Sequence, residues 1–211
     1  MEYLEELYQA IVSGKLEQAR EVTNKAISDN IEANLIIEKY MSPAMEDIGT
    51  KFENGKAFVP ELLMAARAMK GALELLKPLL ANNGSARQGK VVIGTVKGDL
   101  HDIGKNLVAS MLEGCGFEVI NLGVDVSCDQ FVKALQENNA QILCLSALLT
   151  TTMNYMKDII NALESSGIRD KVKIMIGGAP ISNAFAKQIG ADGYSDNANS
   201  AVTLAKSLMA S

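Results

Sequence analysis

The chain has one histidine, and its neighbours give it chemical interest. His101 stands in the run Thr95-Val96-Lys97-Gly98-Asp99-Leu100-His101-Asp102-Ile103-Gly104-Lys105-Asn106. An imidazole can bind a metal through one ring nitrogen while a carboxylate holds the other. Asp99, two residues earlier, is placed to be that carboxylate. Gly98 and Gly104 bracket the loop and leave room for a large group to approach the backbone. The Gly-Lys pair also invites a phosphate-loop reading, which the spacing excludes. Five residues separate Gly98 from Gly104 where a Walker loop has four, and Asn106 follows Lys105 in place of a Ser or Thr.

Two later segments carry further candidates. Leu145 to Met153 presents hydroxyls at Ser146, Thr150 and Thr152, which can enter a crevice or cap a helix. Gly177-Gly178 is a turn or a slot for a flat or elongated ligand.

These segments need elements to position them. From Lys90 onward, short apolar runs alternate with helical stretches. Strands are expected at 90–96, 117–122, 142–147, 173–178 and 191–195, with helices near 104–115, 128–138, 152–166, 181–189 and 198–209. Such β/α alternation predicts an α/β domain with a flavodoxin-like, doubly wound, five-stranded parallel sheet. Ligands of such sheets bind at the carboxyl ends of the strands. The three candidate segments follow strands one, three and four. A phospho-receiver domain would need an acceptor aspartate after strand three, where Ser146-Ala147-Leu148 stands.

The first 82 residues read differently. Only four of the 17 glycines fall before residue 80. Helices are expected near 2–13, 15–28 and 31–52, with Pro43 marking a kink or restart. A fourth begins at Pro60, runs to about Leu80, and is bent or ended at Pro78. The prediction is an N-terminal four-helix bundle over 1–82, a polar linker over 83–89 and the sheet domain over 90–211.

Twenty Lys and Arg against 25 Asp and Glu give a net charge of −5, which argues against a nucleic-acid sleeve or a polybasic membrane anchor. Cys115, Cys128 and Cys144 lie far apart, so a zinc site or disulfide framework is not expected. The longest charge-free run, Asn138 to Met156, holds Gln141, Ser146, three threonines and Asn154, unlike a membrane span. With no apolar leader, the expectation is a cytoplasmic protein.

Asp99-x-His101-x-x-Gly104, then Ser146-x-Leu148, then Gly177-Gly178 resembles the three-part signature of base-off, histidine-on cobalamin-binding domains. The segment Phe52 to Pro60 resembles the methyl-cap bundle that precedes this domain in methionine synthase. Together the two resemblances cover the whole chain. They are similar to the corrinoid proteins of methyltransferase systems that demethylate methylamines, methanol, betaines or methoxylated aromatics.

The resemblance implies a cofactor and roles for residues. The cofactor is cobalamin, cycling between methylcobalamin and cob(I)alamin. His101 becomes the lower axial ligand of cobalt, Asp99 hydrogen-bonds the imidazole, and Thr152 completes the relay where the family often has serine. Gly104, Ser146, Leu148, Gly177 and Gly178 belong to the motifs round the nucleotide-tail channel. Gly98, Leu100, Asp102, Ile103, Thr150 and Ala198 match further corrin or tail contacts. In the bundle, Phe52 and Val59 match the apolar cover of the methyl face, and Glu38 a polar contact.

The implied partners are a substrate-specific methyltransferase, a second methyltransferase acting on tetrahydrofolate or a thiol, and a reductive activation protein. The chain itself is expected to be a carrier subunit, not catalytic alone. A cobalamin-dependent sensor is the alternative, but it would carry an output module that this sequence lacks. An adenosylcobalamin isomerase would need a catalytic barrel, absent here unless on another chain.

Overall fold

The computed structural model describes residues 3–81 and 88–210. Most of the expected linker, residues 83–87, lies outside the described residues. The chain divides into two compact units at residues 87–88, with the stretch 113–116 grouped with the first.

The first unit is helical. α1 (Leu4–Val12) buries Leu4, Leu7, Ala10 and Ile11, an i, i+3, i+4 stripe on one face. α2 (Leu16–Ser28) buries Ala19, Val22, Thr23 and Ala26, and the buried Thr23 hydroxyl donates to the Ala19 carbonyl at 2.7 Å. The helix expected at 31–52 comes in three pieces: α3 (Ala33–Ile36), a π-helical turn at Ile37–Met41, and α4 (Ser42–Glu53). Pro43 is the reason for the irregularity, because it has no N–H and its ring crowds the carbonyl of Lys39. The preceding turn widens to i→i+5 pairing rather than breaking. α5 (Val59–Ala81) starts one residue before Pro60 and contains Pro78. The expected break at Pro78 does not occur. Pro78 lies on the exposed side in the last turn, where the Glu74 carbonyl can turn to water.

The second unit is a five-stranded parallel sheet in the order β2-β1-β3-β4-β5. The strands are β1 (Lys90–Thr95), β2 (Glu118–Asn121), β3 (Ile142–Ser146), β4 (Lys173–Gly177) and β5 (Gly193–Tyr194). The helices are α6 (Ile103–Gly114), α7 (Cys128–Asn138), α8 (Tyr155–Ser165), α9 (Asn183–Ile189) and α10 (Ala198–Ala210). Alternate strand residues Val92, Leu143, Leu145, Ile174 and Ile176 join Phe131, Ala134, Leu135, Ile159, Ile160, Leu163, Ala186 and Ile189 in one buried cluster. Val91, Ile93, Cys144 and Met175 are buried outside that cluster, as the two-residue period of a strand requires. The strand order reverses between β1 and β3, so a crevice opens at their carboxyl ends.

Candidate functional site

The three sequence segments meet at that edge. Thr95 pairs in register with Ser146, and Ser146 with Gly177, so the ends of β1, β3 and β4 lie side by side. The β1–α6 loop turns over this edge. Its Asp99 side chain is wholly buried, while the His101 side chain is about half exposed, at 51%.

Asp99 is the hub. Oδ1 lies 2.8 Å from His101 Nδ1 and accepts the His101 backbone N–H at 3.1 Å. Oδ2 accepts the Leu148 N–H at 2.8 Å and the Leu149 N–H at 3.3 Å. The Thr152 hydroxyl lies 2.8 Å from Oδ2 and 3.0 Å from the Leu149 carbonyl oxygen. It has one proton, and the carboxylate is the stronger acceptor. Burial alone would push the Asp99 carboxyl up. The Leu148 N–H, the His101 ring, the His101 N–H and the Thr152 hydroxyl together outweigh it, holding Asp99 well below the usual carboxylate range.

That ionised carboxylate fixes the imidazole. It can only accept, so in a neutral imidazole Nδ1 carries the proton and Nε2 the lone pair. Among the described residues Nε2 has no hydrogen-bond partner. The His–Asp–Thr order also separates this group from a nucleophile triad, in which the imidazole stands between the carboxylate and the hydroxyl. No group of three or more His, Cys, Asp or Glu side chains among the described residues is arranged round a bare ion. A metal held by His101 would have to bring its other ligands with it.

The loops of the site expose several apolar side chains. Leu100 is 72% and Ile103 86% exposed, and Leu148 and Leu149 are also exposed. Gly104 has ordinary backbone angles, and a Cβ built there meets nothing within 4 Å. The fold itself does not demand glycine at that position. Gly178 is the opposite case. It sits at φ +130, and a Cβ there would collide with the Ala147 carbonyl oxygen. Gly177 lies beside Ser195, so β3, β4 and the end of β5 converge closely.

The remaining expected residues are spread more widely. Gly98 adopts φ 82 and opens the loop, and Thr150 is exposed in the β3–α8 turn. Asp102 caps the first turn of α6, accepting the Asn106 side-chain N–H at 2.8 Å. Ala198 is buried at the start of α10, with little surface to offer. Glu38, Phe52 and Val59 belong to the helical unit. Glu38 is exposed in the π-helical turn, Phe52 is half-buried near the end of α4, and Val59 is exposed at the start of α5. Phe58, Leu63 and Met64 are exposed apolar residues in the same stretch that the sequence reading did not single out. It also missed Lys105, whose ammonium is buried and donates to Asn106 Oδ1 at 2.6 Å and Asn121 Oδ1 at 2.7 Å. Desolvation pulls the Lys105 pKa down, with Asp102 opposing. The Gly-Lys pair was visible in sequence, but its partner Asn121 on β2 was not.

Comparison with known proteins agrees with this geometry. Residues 89–203 match the B12 binding domain family, and a second B12 binding domain family matches residues 3–77. The chain is 45% identical to the dimethylamine corrinoid protein of Methanosarcina barkeri, over 99% of this chain and 98% of that one. A crystal structure of a cobalamin-binding protein from Desulfitobacterium hafniense DCB-2 superposes with a TM-score of 0.82 at 32% identity, covering 97% of this chain and 98% of that one. The methanol:cobalamin methyltransferase complex MtaBC of Methanosarcina barkeri contains a chain matching with a TM-score of 0.82 at 30% identity, over 99% of this chain and 80% of that one. The chain therefore belongs to the B12-binding family of corrinoid proteins of methyltransferase systems.

Proposed function

We propose that this chain is a methyl carrier whose cobalamin is held base-off, with His101 as the lower axial ligand. The observation that carries the reading is the imidazole itself: Nδ1 is tied to a wholly buried carboxylate, and Nε2 is left free beside exposed apolar side chains. The residues present fit the cofactor. Cobalamin would bring its other cobalt ligands with it, which matches a lone imidazole without neighbouring ligands. The open space at Gly104 and the apolar Leu100, Ile103 and Leu148 suit a broad, flat macrocycle.

When bound, cobalamin supplies a cobalt centre able to accept and release a methyl group. The protein's own groups orient and tune. Asp99 fixes the imidazole tautomer, and Leu148, Leu149 and Thr152 hold Asp99 ionised. A proton can be shared along the His101–Asp99–Thr152 line when the nitrogen is engaged or released, linking coordination to protonation. Gly98, Asp102, Ser146, Thr150, Gly177, Gly178 and Ala198 are assigned to the surroundings of the cofactor and its tail. Residues 1–82 form the proposed cap domain and 90–211 the proposed cobalamin domain, joined through 83–89. Phe52 and Val59, with exposed Phe58, Leu63 and Met64, give the cap an apolar surface suited to shielding the reactive face, and Glu38 adds a polar contact.

The proposed methyl donor is a methylamine, delivered by a methylamine-specific methyltransferase, because the relative at 45% identity is named for dimethylamine. A second methyltransferase takes the group to tetrahydrofolate or a thiol, a reductive activation protein rescues oxidised cobalt, and the cycle runs in the cytoplasm.

The test is electron paramagnetic resonance of the protein loaded with Co(II) cobalamin and grown with 15N-histidine. Wild type is expected to show coupling to one imidazole nitrogen that responds to the label, and His101→Ala to lose it. Coupling that survives in His101→Ala would overturn the axial assignment.

A further inference from the structure

Asp125 lies outside the motifs and outside every role assigned above, yet its geometry is unusual. It is exposed in the turn between β2 and α7, at φ 54. That left-handed conformation is costly for a residue with a Cβ. Two other non-glycine residues among those described share it, Asn30 and Asn139. Asn139 is the C-cap of α7 and Asn30 follows the C-cap of α2, positions where a left-handed residue is the ordinary way to stop a helix. Asp125 ends no helix. A non-glycine residue held in a sparsely populated backbone region needs surroundings that enforce it, and such residues cluster at functional sites.

What holds it is the histidine loop. Asp125 Oδ1 accepts the Gly98 N–H at 2.7 Å, and the Asp125 N–H donates to the Asp99 carbonyl at 3.1 Å. Two hydrogen bonds of opposite direction thus bracket the Gly98–Asp99 peptide from 27 residues away. The rest of the turn runs alongside. The Val126 N–H donates to the Thr95 carbonyl and the Thr95 N–H to the Gly123 carbonyl, each at 3.0 Å. The Thr95 hydroxyl in turn donates to the His101 carbonyl at 2.9 Å.

The hydrogen bonds on the Asp99 carboxylate fix the end of that side chain. They do not fix the peptide from which it projects. Gly98, at φ 82, is the most permissive residue in the loop, and a rotation there would carry Asp99 and the His101 ring with it. Asp125 removes that freedom, together with the Asp99 N–H, which donates to the Val96 carbonyl at 3.1 Å. A turn needing only a left-handed residue would be served by glycine at lower backbone cost; the carboxylate adds a strong acceptor aimed at Gly98.

We propose that Asp125 is a positioning residue for His101, holding the Gly98–Asp99 peptide so that the imidazole meets cobalt at a fixed angle. The inference rests on the assignment of His101 as axial ligand, and the experiment separates the two.

Asp125→Asn keeps a side-chain acceptor and tolerates the left-handed region. Asp125→Gly keeps the backbone conformation and removes the acceptor. Both are expected to fold and to melt near wild type. His101 is the sole histidine, so 15N-histidine labelling gives ring signals from one residue. Two readouts follow: the ring 15N shifts of the cofactor-free protein, and the imidazole coupling of the Co(II) cobalamin-loaded protein.

Asp125→Asn is expected to match wild type in both. Asp125→Gly is expected to show mixed ring tautomers. Its ratio of imidazole-coordinated to uncoordinated cofactor should fall about three- to tenfold, the effect of losing one hydrogen bond. Asp125→Gly indistinguishable from wild type in both readouts would overturn the proposal, as would equal losses in the two variants. An earlier melt with ring shifts and coupling unchanged would make Asp125 a structural brace only and would also overturn it. Wild-type protein without imidazole coupling would instead overturn the axial-ligand reading, and the ring shifts of the cofactor-free protein would then decide whether Asp125 positions His101.

Discussion

At the scale of single residues, the site is a buried charge made tolerable by its donors. A lone buried carboxylate would normally be protonated or excluded, since burial opposes the charged form. Asp99 is neither, because backbone N–H groups from Leu148, Leu149 and His101, with the Thr152 hydroxyl, converge on it. This makes Asp99 a source of acid sensitivity. Its folded pKa lies below the ordinary 3.8, so the unfolded chain takes up the proton first as pH falls. The stabilisation is therefore present above roughly pH 4 and is lost on acidification below it. Asp99→Asn removes that dependence. At neutral pH the variant is expected to unfold with about 2 kcal/mol less stability, the order of a charge-assisted hydrogen bond lost from a buried site. In denaturant titrations across pH 7 to pH 3, the gap between wild type and Asp99→Asn should narrow as pH falls. A gap constant over that range would show that Asp99 is not ionised in the folded protein.

At the scale of elements, the glycines separate what the fold needs from what the ligand needs. Gly178 closes β4 against the Ala147 carbonyl with no space for a Cβ, so Gly178→Ala should cost at least about 2 kcal/mol of stability. Gly104 opens the first turn of α6 with ordinary angles and free space. Gly104→Ala should leave the cofactor-free protein as stable or more so, by up to about 1 kcal/mol. It should nevertheless weaken cobalamin binding, measured by titration of the cofactor-free protein. Unchanged affinity would remove Gly104 from the site. The sequence made much of this architecture legible, because short apolar runs such as Val91-Val92-Ile93 and Ile142-Leu143-Cys144-Leu145 between glycine-rich turns can hardly be anything but buried parallel strands. Less local features were hidden. Helix α8 begins at Tyr155, not near 152, because Thr150 to Asn154 form turns in which the Thr152 hydroxyl serves Asp99. The widened turn at Ile37–Met41 shifts one hydrogen-bond register, which leaves no mark in residue periodicity beyond the nearby Pro43. Phe58, Leu63 and Met64 look like bundle core in a one-dimensional pattern, and only the packed unit shows them exposed. Asp125 was invisible for the same reason, since its partner lies 27 residues away.

At the scale of the whole molecule, the carrier reading predicts that this chain holds and orients the cofactor while a partner activates the methyl donor. Removing a methyl group from an amine requires the donor to be held in line and its leaving group to be activated by an acid or a metal. In the sheet unit, His101 and Asp99 are hydrogen-bonded to one another, and the exposed Leu100, Ile103, Leu148 and Leu149 share their loops with exposed Lys97 and Thr150. In the helical unit, Phe58, Val59, Leu63 and Met64 are exposed apolar side chains, with Lys56 and Glu61 exposed in the same stretch. Among the described residues no helix is long and apolar enough to cross a membrane. The expectation is that cobalamin-loaded protein, reduced and mixed with dimethylamine alone, keeps the absorption spectrum of the reduced cofactor over many minutes. Adding the cognate methylamine methyltransferase should convert that spectrum to the methylated form within seconds to minutes. His101→Ala separates holding from transfer. Under the proposed site it should still take up cobalamin, though more weakly, since the corrin and tail contacts proposed for Gly104, Leu100 and Ile103 do not involve the imidazole. Rapid conversion by dimethylamine with no second protein present would overturn the carrier reading and make this chain a methyltransferase in its own right.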